Sequence, residues 1–221
     1  MTGGEGTPGD GDSSEPGRGK RRVEIAATVL LSAATVLTAW SAFQSTKWSG
    51  VQAIRFSQAS ASRTESVRAS TAAGQQTIAD VTVFTAWLTA TDEGQTHLAG
   101  LLAGRFRGEF KSAFEAWEST SPQTNASAPA TPFAMPGYEL ANSRQATQLE
   151  ATASTQFSQA TQANQRADNY ILLTVLFALV LFFGAVSTRF EARVLQIILL
   201  SVGAVVFVVA AVITAVFPVE F

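Results

Sequence analysis

The sequence predicts an all-α membrane protein: three transmembrane helices, with an extramembrane helical hairpin or bundle between spans 1 and 2. First, three apolar runs, 25–43, 171–187 and 194–217, contain no Asp, Glu, Lys, Arg or His. Second, no Pro interrupts residues 45–118 or 138–217, and no long stretch alternates polar and apolar residues as a half-buried strand would. A soluble domain of 221 residues does not need three such runs, so that class is excluded.

Each apolar run is long enough to be a membrane span. The runs hold 19, 17 and 24 residues, and about 20 helical residues cross a hydrocarbon layer about 30 Å thick. With their flanks they predict spans at 23–44, 170–187 and 194–217. The first run is also compatible with a cleaved signal peptide, with Ala39 and Ser41 as the small residues of a cleavage site. We favour a span because the run is longer than the roughly 7 to 15 residues of a signal-peptide core.

Basic residues predict which side of the membrane each loop faces. Residues 1–22 are rich in Gly and offer little apolar surface to bury, so we expect a disordered tail. Six basic residues lie near the span ends on this side and in loop 188–193, against four on the other side, which places the amino terminus in the cytoplasm. The six are Arg18, Lys20, Arg21, Arg22, Arg189 and Arg193, and the four are Lys47, Arg55, Arg63 and Arg166. Residues 45–168 and the short tail 218–221 are then extracytoplasmic.

The long segment between spans 1 and 2 is predicted to be helical on both sides of one break. Four Pro residues between positions 119 and 137 predict a flexible loop there. Residues 45–118 before the loop have a composition compatible with helix. Residues 138–169 after it are predicted to form a helix that continues into span 2.

Two arrangements are open for residues 45–118. In the first, a helix of residues 45–73 pairs antiparallel with residues 138–168 as an Ala-rich coiled coil, and residues 75–118 fold against the pair. The two paired helices would have matching lengths of about 44 and 46 Å. In the second arrangement, residues 45–91 form one longer helix and the next helix returns along it. The sequence does not choose between them.

The strongest amphipathic pattern lies between residues 98 and 117. Its large apolar side chains recur at steps of four or three and predict one helix of about 24 residues that buries an aromatic face. Those side chains are Leu98, Leu102, Phe106, Phe110, Phe114 and Trp117. Thr91 and Asp92 are predicted to cap the amino terminus of this helix, where Glu93 also suits the helix dipole.

A pattern of Trp, Ser, Gln and Gly follows span 1. Residues 40–50 read W-S-x-x-Q-x-x-x-W-S-G, and here the chain resembles uncharacterised small bacterial three-span membrane proteins that carry such an element after the first span. The resemblance implies the three-span architecture and no established activity. Membrane-interface anchoring and helix packing are predicted for Trp40, Trp48, Ser49 and Gly50, with Tyr170 at the matching level of span 2.

Composition limits the chemistry that the chain can perform. It has no Cys and a single His, His97, which excludes disulfides, thiolate catalysis and multi-histidine metal sites. A net charge of −2 offers no basic surface for nucleic acid. Asp92 and Glu93 are adjacent and point apart on a helix, and no nucleophile lies near His97 in the sequence. We therefore expect no catalytic, cofactor-binding or metal site, and no small-molecule substrate is identified.

These observations favour a non-enzymatic scaffold or partner-binding protein with an extracytoplasmic helical stalk. Its expected location is the bacterial plasma (inner) membrane, which it crosses several times with the amino terminus in the cytoplasm. The expected partners are the lipid bilayer and either a second copy or another membrane protein, because the stalk has few large apolar residues to bury on its own. The alternative is a sensor or regulatory subunit of a membrane complex. An oligomeric pore is disfavoured because no span has a consistently polar face.

Overall fold

The computed structural model describes residues 15–190 and 192–220, with side chains from residue 21 onward, and this part of the chain is helical without strands. The elements in chain order are α1 Glu15–Asp92, α2 Thr96–Ala103, α3 Gly108–Glu118, a 3₁₀ turn Pro132–Ala134, α4 Ala141–Ser187 and α5 Arg193–Val216. Helices α1, α4 and α5 are long and apolar enough to cross a membrane. The all-α class and the three apolar helices predicted from the sequence are thus confirmed, and they are the architecture of a multi-pass membrane protein.

The chain divides into two compact units. The apolar unit, Met1–Ala53 with Ala160–Phe221, contains the three apolar runs, and the polar unit is Ile54–Gln159. Helices α1 and α4 contribute residues to both units, whereas α5 belongs to the apolar unit alone. Helices α2 and α3 and the 3₁₀ turn belong to the polar unit.

Helix α1 runs unbroken through residues 45–91, as in the second of the two arrangements that the sequence left open, and it also pairs with α4, as in the first. No Pro lies between residues 17 and 121, so nothing in the sequence forces a break. Thr residues are tolerated because their hydroxyls donate to the carbonyl four residues earlier. Such bonds are made by the Thr residues at 28, 35, 38, 46, 64, 71, 77, 82, 85, 89 and 91.

The start of α1 differs from the prediction. Residues 1–22 were expected to form a disordered tail, yet the helix begins at Glu15, so residues 15–22 are helical. Pro16 suits the first turn because its missing N–H has no partner there in any helix. Extending an existing helix by a few residues is cheaper than nucleating one, so even Gly17 and Gly19 are included. The rest of the predicted tail, residues 1–14, lies outside the described residues.

Within the polar unit, α1 and α4 pack against each other in antiparallel orientation. Ser66 Oγ donates to the carbonyl oxygen of Ala146 at 2.9 Å, and Ser62 Oγ donates to Gln156 Oε1 at 3.0 Å. The side chains buried along α4 recur at steps of seven up to Ala160 and of three or four after it, and many are Ala, which lets helices approach closely. Within the polar unit these are Ala146 and Ala153, and in the apolar unit the pattern continues with Ala160, Ala163, Ala167, Tyr170, Leu173, Phe177 and Val180.

The end of α1 corrects the predicted helix start at Thr91 and Asp92. Both residues belong to the last turn of α1, and Gly94 follows with a φ of 73°. The N–H of Gln95 donates to the carbonyl of Ala90 at 2.8 Å, and the N–H of Gly94 donates to that of Thr91 at 3.2 Å. This is the Schellman pattern, in which a left-handed Gly ends a helix at little steric cost.

The predicted helix of about 24 residues is two short helices instead, α2 and α3. The chain turns between them, and Arg107, the residue before α3, has an extended backbone with φ −64° and ψ 149°. Gly100, Gly104 and Gly108 each weaken a continuous helix by about 1 kcal/mol relative to Ala. The break also lets the Arg107 side chain reach Asp80 on α1.

An aromatic cluster fills the second half of the polar unit. Phe84 and Trp87 of α1 pack there against Phe110 and Phe114 of α3, with Phe110 fully buried. The segment 119–137, predicted to be a flexible loop, packs on this cluster. Its Phe133 ring stacks on that of Phe110 at 4.9 Å, and the indole of Trp117 donates to the carbonyl of Pro129 at 2.7 Å. Four Pro residues keep the segment out of a helix, but its apolar side chains still gain from burial.

Close packing of α1, α4 and α5 forms the core of the apolar unit. Buried Trp48, Tyr170, Phe177 and Ala210 lie in one cluster with three further α4 residues, Ala163, Ala167 and Leu173. Gly184 of α4 lies so close to α1 that an added Cβ would be 2.6 Å from Leu31 Cδ2. A side chain at position 184 would therefore force the Leu31 side chain to move.

Candidate functional site

The most specific polar arrangement of the apolar unit joins α1 and α4 to the segment after α5. The Gln44 amide faces the main chain of Glu220: its Nε2 donates to the carbonyl oxygen at 3.1 Å, and its Oε1 accepts from the N–H at 2.9 Å. Gln44 is fully buried. A buried amide that both donates and accepts has its main hydrogen-bonding needs met, so its burial is offset.

One carbonyl oxygen, that of Pro218, accepts two hydrogen bonds from side chains. The Trp48 indole N–H donates to it at 3.1 Å and the Tyr170 hydroxyl at 3.2 Å. The Arg166 guanidinium lies over the Trp48 ring, 4.4 Å from its centroid, which is a cation–π geometry. We call Gln44, Trp48 and Tyr170, with the main chain of Pro218 and Glu220, the 218–220 clamp.

The local sequence explains why this segment needs partners. Helix α5 ends at Val216, and Phe217 takes the extended backbone, φ −69° and ψ 144°, that a residue before Pro prefers. The main-chain groups of residues 218–220 have left the helix and must find other partners. Gln44 and Trp48 are four residues apart on one face of α1, so both reach the same segment.

The residues predicted for interface anchoring and packing differ in how deeply the structure buries them. Trp48 and Tyr170 are buried in the core of the apolar unit and take part in the clamp. Trp40 is half-buried, with its ring 5.9 Å from that of Phe43. Ser49 and Gly50 are exposed and are not part of the clamp. Anchoring of Trp40 at a membrane interface stays a prediction.

Two of the predicted topology residues, Arg189 and Arg193, line a cavity of about 810 Å³ in the apolar unit. Glu24, Thr28 and Gln196 also line it. The cavity therefore combines both charge signs with hydrogen-bonding groups. Arg21 and Arg22 are exposed on α1, and the side chains of Arg18 and Lys20 lie outside the described part of the chain.

A second polar cluster lies within the polar unit, around Asp80. This carboxylate is 3% exposed and accepts two hydrogen bonds from Arg107, from Nε to Oδ1 at 3.0 Å and from Nη2 to Oδ2 at 2.9 Å. The Tyr138 hydroxyl donates to Oδ2 at 3.1 Å. Hydrogen bonding to Asp80 raises the pKa of the Arg107 guanidinium, and burial raises the pKa of the Tyr138 hydroxyl. Both groups thus stay protonated, and the cluster holds α1 to the residue before α3 and to the segment just before α4.

The chemistry of these groups is binding and positioning. Gln44, Trp48 and Tyr170 hold main-chain atoms of the chain itself, and Asp80 is saturated by Arg107 and Tyr138. Among the side chains that the structure describes, residues 21–190 and 192–220, no three His, Asp or Glu come together to hold a metal ion. His97 is exposed on α2.

Sequence reasoning missed the main partner in the clamp. Gln44 belongs to the W-S-x-x-Q-x-x-x-W-S-G element, but the sequence predicts no packing role for it or for Ser41, which is also fully buried. The available signal was a Gln one turn from both Trp40 and Trp48, on a face that the Trp residues mark for burial. Nothing in the sequence pointed to Pro218 and Glu220 as its partners.

No protein-family model, curated protein or solved structure matches the chain. The resemblance to uncharacterised three-span bacterial proteins stays a prediction from the W-S-x-x-Q-x-x-x-W-S-G element.

Proposed function

We propose that this chain is a non-enzymatic scaffold or partner-binding protein of the bacterial plasma (inner) membrane. Its three apolar helices anchor it, its amino terminus is cytoplasmic, and its polar unit lies outside the cytoplasm and binds another protein. Six basic residues near the span ends on the amino-terminal side, against four on the other, support this orientation. The proposal that it is not an enzyme rests on composition, since the chain has no Cys and a single His.

One observation carries the proposal of partner binding: a long part of α1 in the polar unit exposes no charge. Between Arg68 and Asp92 the only charged residue is Asp80, and it is buried. In the same stretch Ile78 and Leu88 are 68% and 48% exposed. Surfaces that stay in water normally carry charged side chains, whereas the centres of protein interfaces are depleted of them. We therefore assign this surface to a protein partner.

The orientation is tested by single-Cys variants in this Cys-free chain, labelled in intact cells with a membrane-impermeant thiol reagent. Ser127, in the segment 119–137, and Thr188, after α4, are both exposed, so a Cys at either site is reachable if it faces the reagent. We expect labelling of Ser127→Cys and no labelling of Ser13→Cys or Thr188→Cys until the cells are permeabilised. Labelling of the latter two alone would overturn the proposed orientation.

Partner binding is tested in the same cells with two adjacent positions of α1. Ile78 lies on the uncharged apolar surface, and Ala79, also exposed, points about 100° away around the helix. We expect a Cys at Ile78 to react more slowly than one at Ala79 in cells, and both to react equally after denaturation. Equal rates in intact cells would exclude a partner on this surface.

A further inference from the structure

The exposed surface of α1 in the polar unit has the periodicity of a coiled coil. Seven exposed positions follow one another at alternating steps of four and three residues. They are Val67, Thr71, Gly74, Ile78, Val81, Thr85 and Leu88, and we call them the outer seam. This 3–4 spacing is the one that keeps a stripe of side chains facing a second helix over several turns.

We propose that the outer seam binds the outer seam of a second copy of this chain. The inference rests on the proposed function, which assigns this surface to a partner, and it identifies that partner.

The outer seam lies beside a stripe that is already occupied. Each of Val67, Gly74, Val81 and Leu88 follows directly after a buried residue of α1. Those buried residues are Ser66, Ala73, Asp80 and Trp87, which face the rest of the polar unit. Two stripes offset by one residue, about 100° around the helix, are what a helix needs to contact its own unit on one side and another helix on the other.

The side chains of the outer seam present an apolar surface although two of them are Thr. The hydroxyl of Thr71 donates to the carbonyl of Val67 at 2.9 Å, and that of Thr85 donates to the carbonyl of Val81 at 2.8 Å. With the hydroxyl donors used within the helix, docking of another helix leaves no donor unpaired. Gly74 has open space around its Cα, so a large side chain of the facing helix fits there.

Charge identifies the occupant as a second copy. A partner with a charged surface would have to desolvate its charges against a surface that offers no ion pair. A matching partner is thus an uncharged helix with apolar residues at heptad spacing, and the outer seam itself has these properties. Identical seams meet without like-charge repulsion in an isologous pair. Confinement of both copies to one membrane raises their effective concentration.

The test uses disulfide formation in the full chain, purified in detergent with micelles in excess over protein chains and oxidised with copper phenanthroline. Ile78 lies near the middle of the outer seam, so it meets Ile78 of the second copy whether the helices pair parallel or antiparallel. Ala79 is the matched control on a different face. Disulfides need Cβ atoms about 4 Å apart, so we expect Ile78→Cys to form crosslinked dimer at least about tenfold faster than Ala79→Cys.

A second measurement does not depend on crosslinking. Ile78→Lys places a charge in the seam, and we expect it to convert the particle mass measured by light scattering from dimer to monomer, while Ala79→Lys leaves it dimeric. Circular dichroism shows whether each variant keeps its helices.

Three results overturn the inference. Equal crosslinking of Ile78→Cys and Ala79→Cys, or a monomeric unmodified chain, excludes a second copy on this seam. If Ile78→Cys is nevertheless protected in cells, a different protein occupies the surface and the proposed function stands. If Ile78→Cys and Ala79→Cys react equally in cells, the proposed function fails together with this inference.

Discussion

The side-chain amide of Gln44 makes two hydrogen bonds with the main chain of Glu220, one to the carbonyl oxygen at 3.1 Å and one from the N–H at 2.9 Å. The two residues are 176 positions apart in the sequence. The first long helix of the chain thus holds the segment that follows the last one. Trp48 and Tyr170 hold the same segment through Pro218.

Replacing Gln44 by Leu should free the segment 218–220. The variant leaves the N–H and carbonyl of Glu220 without their partners, which costs about 1–3 kcal/mol in the apolar unit. Hydrogen exchange of the Glu220 amide, followed by mass spectrometry, should speed up by at least about tenfold, in line with that cost. Gln165→Leu, an exposed Gln of the same unit, is the control and should leave that exchange unchanged.

The two donors to the Pro218 carbonyl should be strongly coupled. Trp48→Phe or Tyr170→Phe alone leaves one donor in place, so each should lower the free energy of unfolding by only about 0.5–1.5 kcal/mol. The double variant leaves the carbonyl with neither donor. A double-mutant cycle should then give a coupling energy of about 1 kcal/mol, and strictly additive effects would show that the carbonyl finds another partner.

The Asp80–Arg107 pair should contribute much more than the exposed pair of Arg63 and Glu150. Asp80→Asn removes the charge from a buried bidentate pair and should destabilise the polar unit by about 3 kcal/mol, the lower end for buried pairs because Arg107 is 32% exposed. Glu150→Gln should cost less than about 1 kcal/mol, since both partners are more than half exposed. Denaturant unfolding, followed by the fluorescence of the buried Trp residues, measures both. Equal destabilisation by the two variants would contradict the larger contribution expected from the Asp80–Arg107 pair.

High pH should destabilise the polar unit through Tyr138. Its pKa is raised above the ordinary value of 10.0, mainly by burial, so the folded chain holds the phenolic proton more tightly than the unfolded chain. The resulting stability is fully present below pH 10.0 and is lost as the pH rises through the raised pKa.

The titration of Tyr138 can be followed directly. The chain has two Tyr residues, so Tyr170→Phe leaves Tyr138 as the sole phenol. Its absorbance at the phenolate band should titrate above pH 10.0, and Tyr138→Phe should remove this part of the alkaline loss of stability. A midpoint at or below the ordinary value would contradict the burial of the hydroxyl.

Gly184 should tolerate no side chain without an adjustment of Leu31. A Cβ at this position would lie 2.6 Å from Leu31 Cδ2 and 3.1 Å from its Cγ, so Gly184→Ala should cost about 1–2 kcal/mol. Gly203→Ala is the control: its Cβ would lie 3.5 Å from Phe183 Cβ, an ordinary contact, and the change should be neutral or stabilising.

A compensating variant separates overpacking from other effects. Leu31→Ala in the Gly184→Ala background removes the atoms that clash, so the two changes together should cost less than the sum of their separate costs. Thermal unfolding in one detergent compares all four chains. Additive costs would mean that the close approach of α1 and α4 at this point is not what limits position 184.

The sequence was sufficient to predict the elements that depend only on neighbouring residues. The apolar runs predicted the three helices because burial of such a run depends only on its own composition. The Pro-rich break at residues 119–137 was predicted because Pro acts on its own backbone, although α4 begins at Ala141 and not at the predicted residue 138. The prediction that Thr91 and Asp92 begin a helix was wrong, because these residues suit a helix start as well as the last turn before Gly94, and the choice depends on how far α1 extends.

What the sequence by itself determined is the all-helical class, the three helices apolar enough to cross a membrane and the position of the Pro-rich break. Only the tertiary structure decided which distant residues form hydrogen bonds with one another. Gln44, Trp48 and Tyr170 hydrogen-bond to the main chain of Pro218 and Glu220. The chain also turns between α2 and α3, where Arg107 donates to Asp80. The physical reason is that helix formation and burial of an apolar run follow from neighbouring residues. A hydrogen bond between residues 176 positions apart exists only once packing brings them together.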